Sequence, residues 1–120
     1  MRPEISETSF GSITVGGARY GHDVLIRLGG EVKKRKKKLS KAAGGSSHVI
    51  SLDEARHVYE KGAGRLLVGT GQEGCVELSK EAAEYFERKG CPVELLPTPA
   101  AILRWNGASG AVIGLFHVIC

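Results

Sequence analysis

Helix-start signals alternate with short apolar runs along residues 51–120 of this 120-residue chain. The helix starts are a Ser51-Leu52-Asp53-Glu54 capping box, Ser79 with Glu81 in the following turn, and Thr98 followed by Pro99. The apolar runs cover residues 65–68, 93–96 and 111–120. From residue 65 onward the order is β-α-β-α-β, which favours strands of one sheet joined by helical crossovers. We predict a single α/β domain over residues 1–120, with its helices packed on that sheet.

The first half of the chain carries strand and turn signals instead. An alternating pattern over residues 10–15 is followed by Gly16-Gly17 and a second extended pattern over residues 19–26, which predicts a β-hairpin. Gly29-Gly30 predicts another turn into a third strand over residues 31–36. We expect residues 39–50 to form a loop.

No segment predicts a membrane span or an export signal. The apolar run 111–120 is too short to cross a bilayer and contains His117, and the N-terminus lacks the charged-then-apolar pattern of a secretory signal. The chain has three cysteines, Cys75, Cys91 and Cys120, which is an odd and sparse set for a disulfide framework. We therefore expect reduced thiols, a cytoplasmic protein and no membrane partner.

Basic charge is concentrated in one segment. Seven of the 17 Lys and Arg residues lie between Lys33 and Lys41, and the rest of the chain has ten basic residues against 13 acidic ones. Charges on both faces of an extended segment are typical of a solvated edge strand or loop, so we predict a mobile basic loop over residues 33–47. The run has no interleaved aromatic residue for stacking on bases, which argues against nucleic acid as a partner.

Three sequence features resemble those of a known family of small domains. They are the Val68-Gly69-Thr70-Gly71 turn, the Gly45-Ser46-Ser47-His48 loop and the Phe116-His117-x-x-Cys120 ending. The family contains the vertebrate adipogenesis-associated protein and the mitochondrial complex I assembly factor of the same fold, together with archaeal and bacterial proteins of unknown function. The resemblance implies a three-layer α/β fold with a mixed central sheet, helices packed on it and a β-hairpin. It implies no established enzyme activity, and the members that have a known role look like assembly or accessory factors.

The glycine turn after the first buried strand allows three interpretations. Gly69-x-Gly71-x-x-Gly74 matches a dinucleotide fingerprint, but the fingerprint requires a helix opening on its third glycine, and the next helix signal is at Ser79. A tight structural turn is the simplest reading. The third reading is a small-anion site, because successive backbone N–H groups can cradle an anion. Its candidate residues are Gly69, Thr70, Gly71 and Cys75.

Histidines and cysteines offer two further sites. His117 and Cys120 carry metal-ligand atoms at close spacing, and His48 and Cys75 are the candidates for completing a set. Residues three apart in a strand point to opposite faces, so core packing of His117 and a buried Cys120 thiol is the preferred interpretation, with no metal or cofactor. Cys75 is also a candidate nucleophile, since a position near a helix start can lower a thiol pKa.

The leading functional hypothesis from the sequence is a non-enzymatic accessory or assembly factor that acts through its surface on an unidentified protein partner. The alternative is an enzyme or small-anion-binding protein that uses the Gly69–Cys75 loop, with His48, His117 and Cys120 as contributors. A weaker alternative is electrostatic binding of nucleic acid.

Overall fold

A five-stranded mixed sheet forms the centre of the computed structural model, which describes residues 2–42, 46 and 48–120. In spatial order the strands are β5 (Val32–Lys34), β4 (Val24–Ile26), β10 (Val112–His117), β7 (Arg65–Thr70) and β9 (Val93–Leu96). β10, β7 and β9 run parallel, whereas β4 and β5 are antiparallel to their neighbours. The predicted mixed α/β sheet is confirmed.

The N-terminal residues form a separate antiparallel sheet of three strands. These are β1 (Ile5–Ser9), β2 (Ser12–Val15) and β3 (Ala18–Tyr20). β2 and β3 form the predicted hairpin, and both glycines of its turn adopt positive φ, +58° at Gly16 and +84° at Gly17. The predicted extended segment 19–26 was wrong in one respect, because it divides into β3 and β4, which belong to different sheets.

Four helices connect the strands: α1 (Lys38–Ala42), α2 (Leu52–Val58), α3 (Lys80–Arg88) and α4 (Thr98–Gly107). Ser51 and Ser79 cap α2 and α3 as predicted, and each hydroxyl accepts a hydrogen bond from a first-turn backbone N–H. The residue before α4 is Pro97, and Thr98 is its first helical residue, so the predicted Thr98 cap was wrong. α2 ends at Val58.

The segment before α2 contains more structure than the predicted loop. It holds α1 and a short strand β6 (Val49–Ile50), which pairs in parallel with β8 (Glu77–Leu78). This pairing places His48 beside the residues that follow β7, and the Glu77 N–H donates to the His48 carbonyl at 2.9 Å. Ala43–Gly45 and Ser47 lie outside the described residues, so part of the predicted Gly45–His48 loop is not described. Mobility of residues 33–47 stays a prediction.

The central sheet is buried on both faces. Alternate residues of β7 divide between two cores, with Leu66 and Val68 on one side and Leu67 on the other. The first core is closed by α2 and α3, and the second by α4 and the N-terminal sheet. This arrangement is the three-layer fold that the resemblance implies. Among the described residues, no helix has the length and apolar character needed to cross a membrane.

Candidate metal centre

The ends of β7 and β10 bring the sequence-predicted residues to one place. Thr70 and His117 are paired partners in the parallel register, so the loop after β7 runs beside the segment after β10. Three backbone N–H groups of this loop donate to that segment: Gln72 to the Ile119 carbonyl at 2.9 Å, and Glu73 and Cys75 to the Cys120 backbone oxygen at 2.9 and 3.3 Å. The loop therefore fixes the position of Cys120.

Gly71 permits the close approach of these two segments. Its φ is +104°, and a Cβ at this position would lie 2.3 Å from the Cys120 carbonyl carbon. The Gly71 N–H donates to Thr98 Oγ1 at 2.9 Å, and the same hydroxyl donates to the His117 carbonyl at 2.7 Å. Thr98 thus ties the start of α4 to both strand ends.

Several backbone N–H groups of the predicted anion-binding loop are already hydrogen-bonded within the protein. The backbone N–H groups of Gly71, Gln72, Glu73 and Cys75 all donate to protein oxygens. Gly69 lies within β7, where an added Cβ would come 2.7 Å from Phe116, and Thr70 is buried. No helix opens on Gly74, since β8 precedes α3. An anion cradle in this loop stays a prediction.

Three of the predicted contributors form a compact cluster. His48, His117 and Cys120 each offer one ligand atom, and these atoms lie within 4.8 Å of one another. Cys120 Sγ is 3.3 Å from His48 Nε2, and the two imidazole rings meet edge to face with their centroids 5.4 Å apart. β10 ends at His117, so the chain beyond it leaves the strand geometry that would point His117 and Cys120 to opposite faces.

Asp23 sets the tautomer of His117. His117 is 1% exposed, and its Nδ1 lies 2.7 Å from Asp23 Oδ2. Burial alone would raise the pKa of Asp23, but the hydrogen bonds from His117 and the Val118 N–H lower it to about 2. The carboxylate is therefore ionised at neutral pH, and Nδ1 is the nitrogen that carries the proton. Nε2 of His117 is buried and has no hydrogen-bond partner among the described residues.

Cys75 is the exposed neighbour of this cluster. The neighbouring Cys120 side chain raises the pKa of the Cys75 thiol, and the nearby Glu73 carboxylate raises it further. The sequence-based expectation of a lowered pKa was wrong, because α3 begins only at Lys80 and both the Cys120 side chain and the Glu73 carboxylate raise the pKa. A raised pKa leaves less of the thiolate that a cysteine nucleophile needs, and a nucleophilic role for Cys75 stays a prediction.

A buried ionic network supports the cluster from behind. Arg35 donates to both Glu54 oxygens at 2.6 and 2.9 Å and to Asp23 Oδ2 at 3.0 Å. Burial alone would lower the pKa of Arg35, but its contacts with the Glu54 and Asp23 carboxylates raise it. Ser40 also donates to Glu54, at 2.5 Å. These contacts hold Asp23 in the position from which it orients His117.

Sequence reasoning missed Asp23, Arg35, Glu54 and Thr98 as parts of the site. Glu54 was assigned to a capping box, and Arg35 to a solvated basic run. One signal was available for Asp23, because it is a lone carboxylate directly before the fully apolar strand β4. Carboxylates are rarely buried without a partner, so that position indicates a paired acid.

The donor set decides which ions fit. Imidazole nitrogen and thiolate sulfur suit Zn²⁺ and neighbouring transition metals, whereas Mg²⁺ and Ca²⁺ require oxygen ligands. A carboxylate that holds the second ring nitrogen is the usual outer partner of a metal-bound histidine. The His117–Asp23 pair has this arrangement.

Comparison with known proteins identifies the family. The model of a protein family of unknown function, DUF498/DUF598, matches residues 5–111. The chain belongs to the DUF498/DUF598 family. This agrees with the resemblance seen in the sequence at the level of the family fold.

Solved structures similar to this DUF498/DUF598 chain cover nearly its whole length. Conserved hypothetical protein PH1505 from Pyrococcus horikoshii matches with a TM-score of 0.86 and 29% identity over 98% of this chain and 99% of its own. MT938 matches with a TM-score of 0.81 and 30% identity over the same shares. A Bordetella pertussis protein, described as a Mth938-like domain, has a TM-score of 0.63 and 20% identity over 97% of this chain and 85% of its own, a likeness of fold alone.

Proposed function

We propose that this protein binds a divalent transition metal of the zinc class through His48, His117 and Cys120, with Cys75 as the fourth ligand. One observation carries the proposal: the buried Nε2 of His117 has no hydrogen-bond partner among the described residues, while Asp23 holds the other ring nitrogen and His117 belongs to the cluster. A buried polar atom without a partner costs about 1–3 kcal/mol. A metal ion at this place would satisfy that atom.

The ligand count bears on whether the protein is an enzyme. Structural zinc sites have four protein ligands, whereas catalytic sites keep an open position for water or substrate. The Cys75 backbone N–H donates to the Cys120 backbone oxygen, so the two residues are neighbours, and a movement of the Gly71–Cys75 loop would bring the Cys75 thiol to the ion as a fourth donor. A closed His₂Cys₂ set favours a non-catalytic accessory or assembly role, the hypothesis that the sequence resemblance suggested, over the enzyme alternative.

A cobalt titration tests metal binding, since Co²⁺ replaces Zn²⁺ and reports its ligands by colour. We expect reduced, metal-free protein to bind one Co²⁺ with a thiolate-to-cobalt charge-transfer band that Zn²⁺ abolishes. The band should weaken in Cys120→Ser and disappear in the variant that also carries Cys75→Ser. Affinity should fall by more than about 100-fold in Cys120→Ser, because loss of an outer-shell partner alone costs 10–100-fold.

The matched control is Cys91→Ala, which removes a buried thiol from the first core, away from the cluster. His57→Ala is the corresponding control for His48→Ala. A charge-transfer band of equal intensity in the wild type and in the Cys75/Cys120 double variant would overturn the proposal. If Cys75→Ser alone leaves the band unchanged, the set has an open position and the enzyme alternative is favoured.

Zinc should also stabilise the folded chain. At free Zn²⁺ 100-fold above its dissociation constant, binding to the folded state alone adds about 2.7 kcal/mol to the free energy of unfolding. We expect the melting temperature of the wild type to rise with zinc concentration and that of His48→Ala to stay constant. An equal rise in both proteins would place the metal elsewhere.

A further inference from the structure

The basic segment lines a cleft that lies next to the metal cluster and has Asp23 in its wall. The cleft has a volume of about 620 Å³, and its lining includes Lys34, Lys36, Lys37 and Lys38 together with Gly11 and Ile119. We propose that this cleft binds a small phosphorylated ligand, such as a diphosphate or a sugar phosphate. The proposal rests on the placement of the lysines and is independent of the metal.

Arg35 anchors the segment that carries the lysines of the cleft. Its side chain is 1% exposed and is bound to Glu54 and Asp23, and its backbone N–H donates to the Asp23 carbonyl at 3.0 Å. Arg35 is buried, whereas Lys34 and Lys36 on either side of it are exposed. The buried arginine therefore anchors the segment and fixes the position of its cations.

Three of the four lysines that line the cleft have no counter-ion among the described residues. Lys33 pairs with Glu31 at 3.7 Å, and Lys37 with Asp23 at 3.6 Å. Lys34, Lys36 and Lys38 have no acidic group within 4.0 Å in the part of the chain that the structure describes. The one carboxylate lining the cleft, Asp23, is buried and already bound by Arg35 and His117. Ammonium groups held close together repel one another, and a multiply charged anion removes that repulsion.

The shape of the cleft favours a small ligand over a nucleic acid. Its volume lies within the range of about 300–1,000 Å³ that is typical of small-molecule sites. Single-stranded nucleic acids bind along extended grooves with stacking aromatic residues, and the imidazole of His22 is the only ring that lines this cleft among the described residues. Phosphate oxygens accept several charge-assisted hydrogen bonds at once, and the lysines that line the cleft can donate such bonds.

The test is calorimetric titration with inorganic pyrophosphate at low ionic strength. The cleft variant carries Lys34→Ser, Lys36→Ser and Lys38→Ser. The control variant carries Lys61→Ser, Lys80→Ser and Arg88→Ser, which removes the same charge from exposed positions elsewhere. We expect saturable one-to-one binding to the wild type, a loss of about tenfold or more in the cleft variant, and no change in the control. Cys120→Ser should bind pyrophosphate normally, which separates this site from the metal.

Folding of the cleft variant is checked by its melting temperature, which should lie within about 4 °C of the wild type because the three side chains are exposed. If the triple variant melts at a lower temperature than this, the single variant Lys36→Ser is titrated instead. Its loss of pyrophosphate affinity should be smaller. Equal weakening in the cleft and control variants would overturn the proposal, as would the absence of saturable binding. Tighter binding of a 12-nucleotide single-stranded RNA than of pyrophosphate, lost in the cleft variant, would replace it with nucleic-acid binding.

Discussion

Arg35→Met should lower the free energy of unfolding by about 3–5 kcal/mol, the cost of leaving buried charges without their partner. Arg35 is the cation between two buried carboxylates, Asp23 and Glu54, and all three side chains are nearly inaccessible to water. Methionine fills similar space but supplies no positive charge. Urea denaturation at neutral pH, followed by circular dichroism, measures the loss.

The control for this variant is Lys36→Met, which removes the next positive charge along the chain from an exposed position. Its effect should stay within about 0.5 kcal/mol. If Arg35→Met also costs less than about 1 kcal/mol, Arg35 is not the buried anchor described above. The proposed placement of the lysines around the cleft would then have no structural basis.

Gly71→Ala should destabilise the protein by about 2–5 kcal/mol, through two separate effects. The positive φ of +104° costs an alanine about 1 kcal/mol or more. The added methyl group would also lie 2.3 Å from the Cys120 carbonyl carbon and 2.6 Å from the Ile119 oxygen, a clash with backbone that rotation of a side chain cannot relieve. The segment after β10 must then move, so Co²⁺ affinity should fall together with stability.

Gly110→Ala separates the two effects. Gly110 has a similar φ of +87°, but a Cβ there would meet nothing within 4 Å. This control should lose only about 1 kcal/mol and should bind Co²⁺ as tightly as the wild type. Equal losses for the two variants would mean that the contact between Gly71 and the last residues does not constrain the site.

The sequence predicted the parts of the fold that depend on local signals. The capping serines Ser51 and Ser79 fixed the starts of α2 and α3, and the apolar runs located β7, β9 and β10. It predicted the β-hairpin from its Gly16-Gly17 turn. These features could be predicted because each one depends on residues a few positions apart.

The predictions failed where distant residues meet. β6 pairs with β8, 28 residues further along the chain, and nothing in either dipeptide indicates that pairing. Arg35 looks like one more cation in a basic run, and only Asp23 and Glu54 in three dimensions make it a buried residue. Glu54 fits a capping box, yet its carboxylate binds Arg35 and Ser40 instead.

The same limit applies to the metal centre. The sequence named His48, Cys75, His117 and Cys120 as metal candidates but favoured core packing, because a continued strand would separate His117 from Cys120. Three long-range contacts change that interpretation: the register of β7 with β10, the β6–β8 pairing and the Asp23–His117 hydrogen bond. None of these contacts can be recognised from a residue pattern within a single helix or strand.

The central claim is that imidazole nitrogen and thiolate sulfur bind one metal ion, and X-ray absorption at the zinc edge measures this directly. We expect the zinc-loaded wild type to have two sulfur neighbours at about 2.3 Å and two nitrogen neighbours at about 2.0–2.1 Å. Cys75→Ser should reduce the sulfur count to one, and Cys91→Ala should leave it at two. A shell of oxygen and nitrogen alone in the wild type, unchanged in Cys120→Ser, would contradict the account.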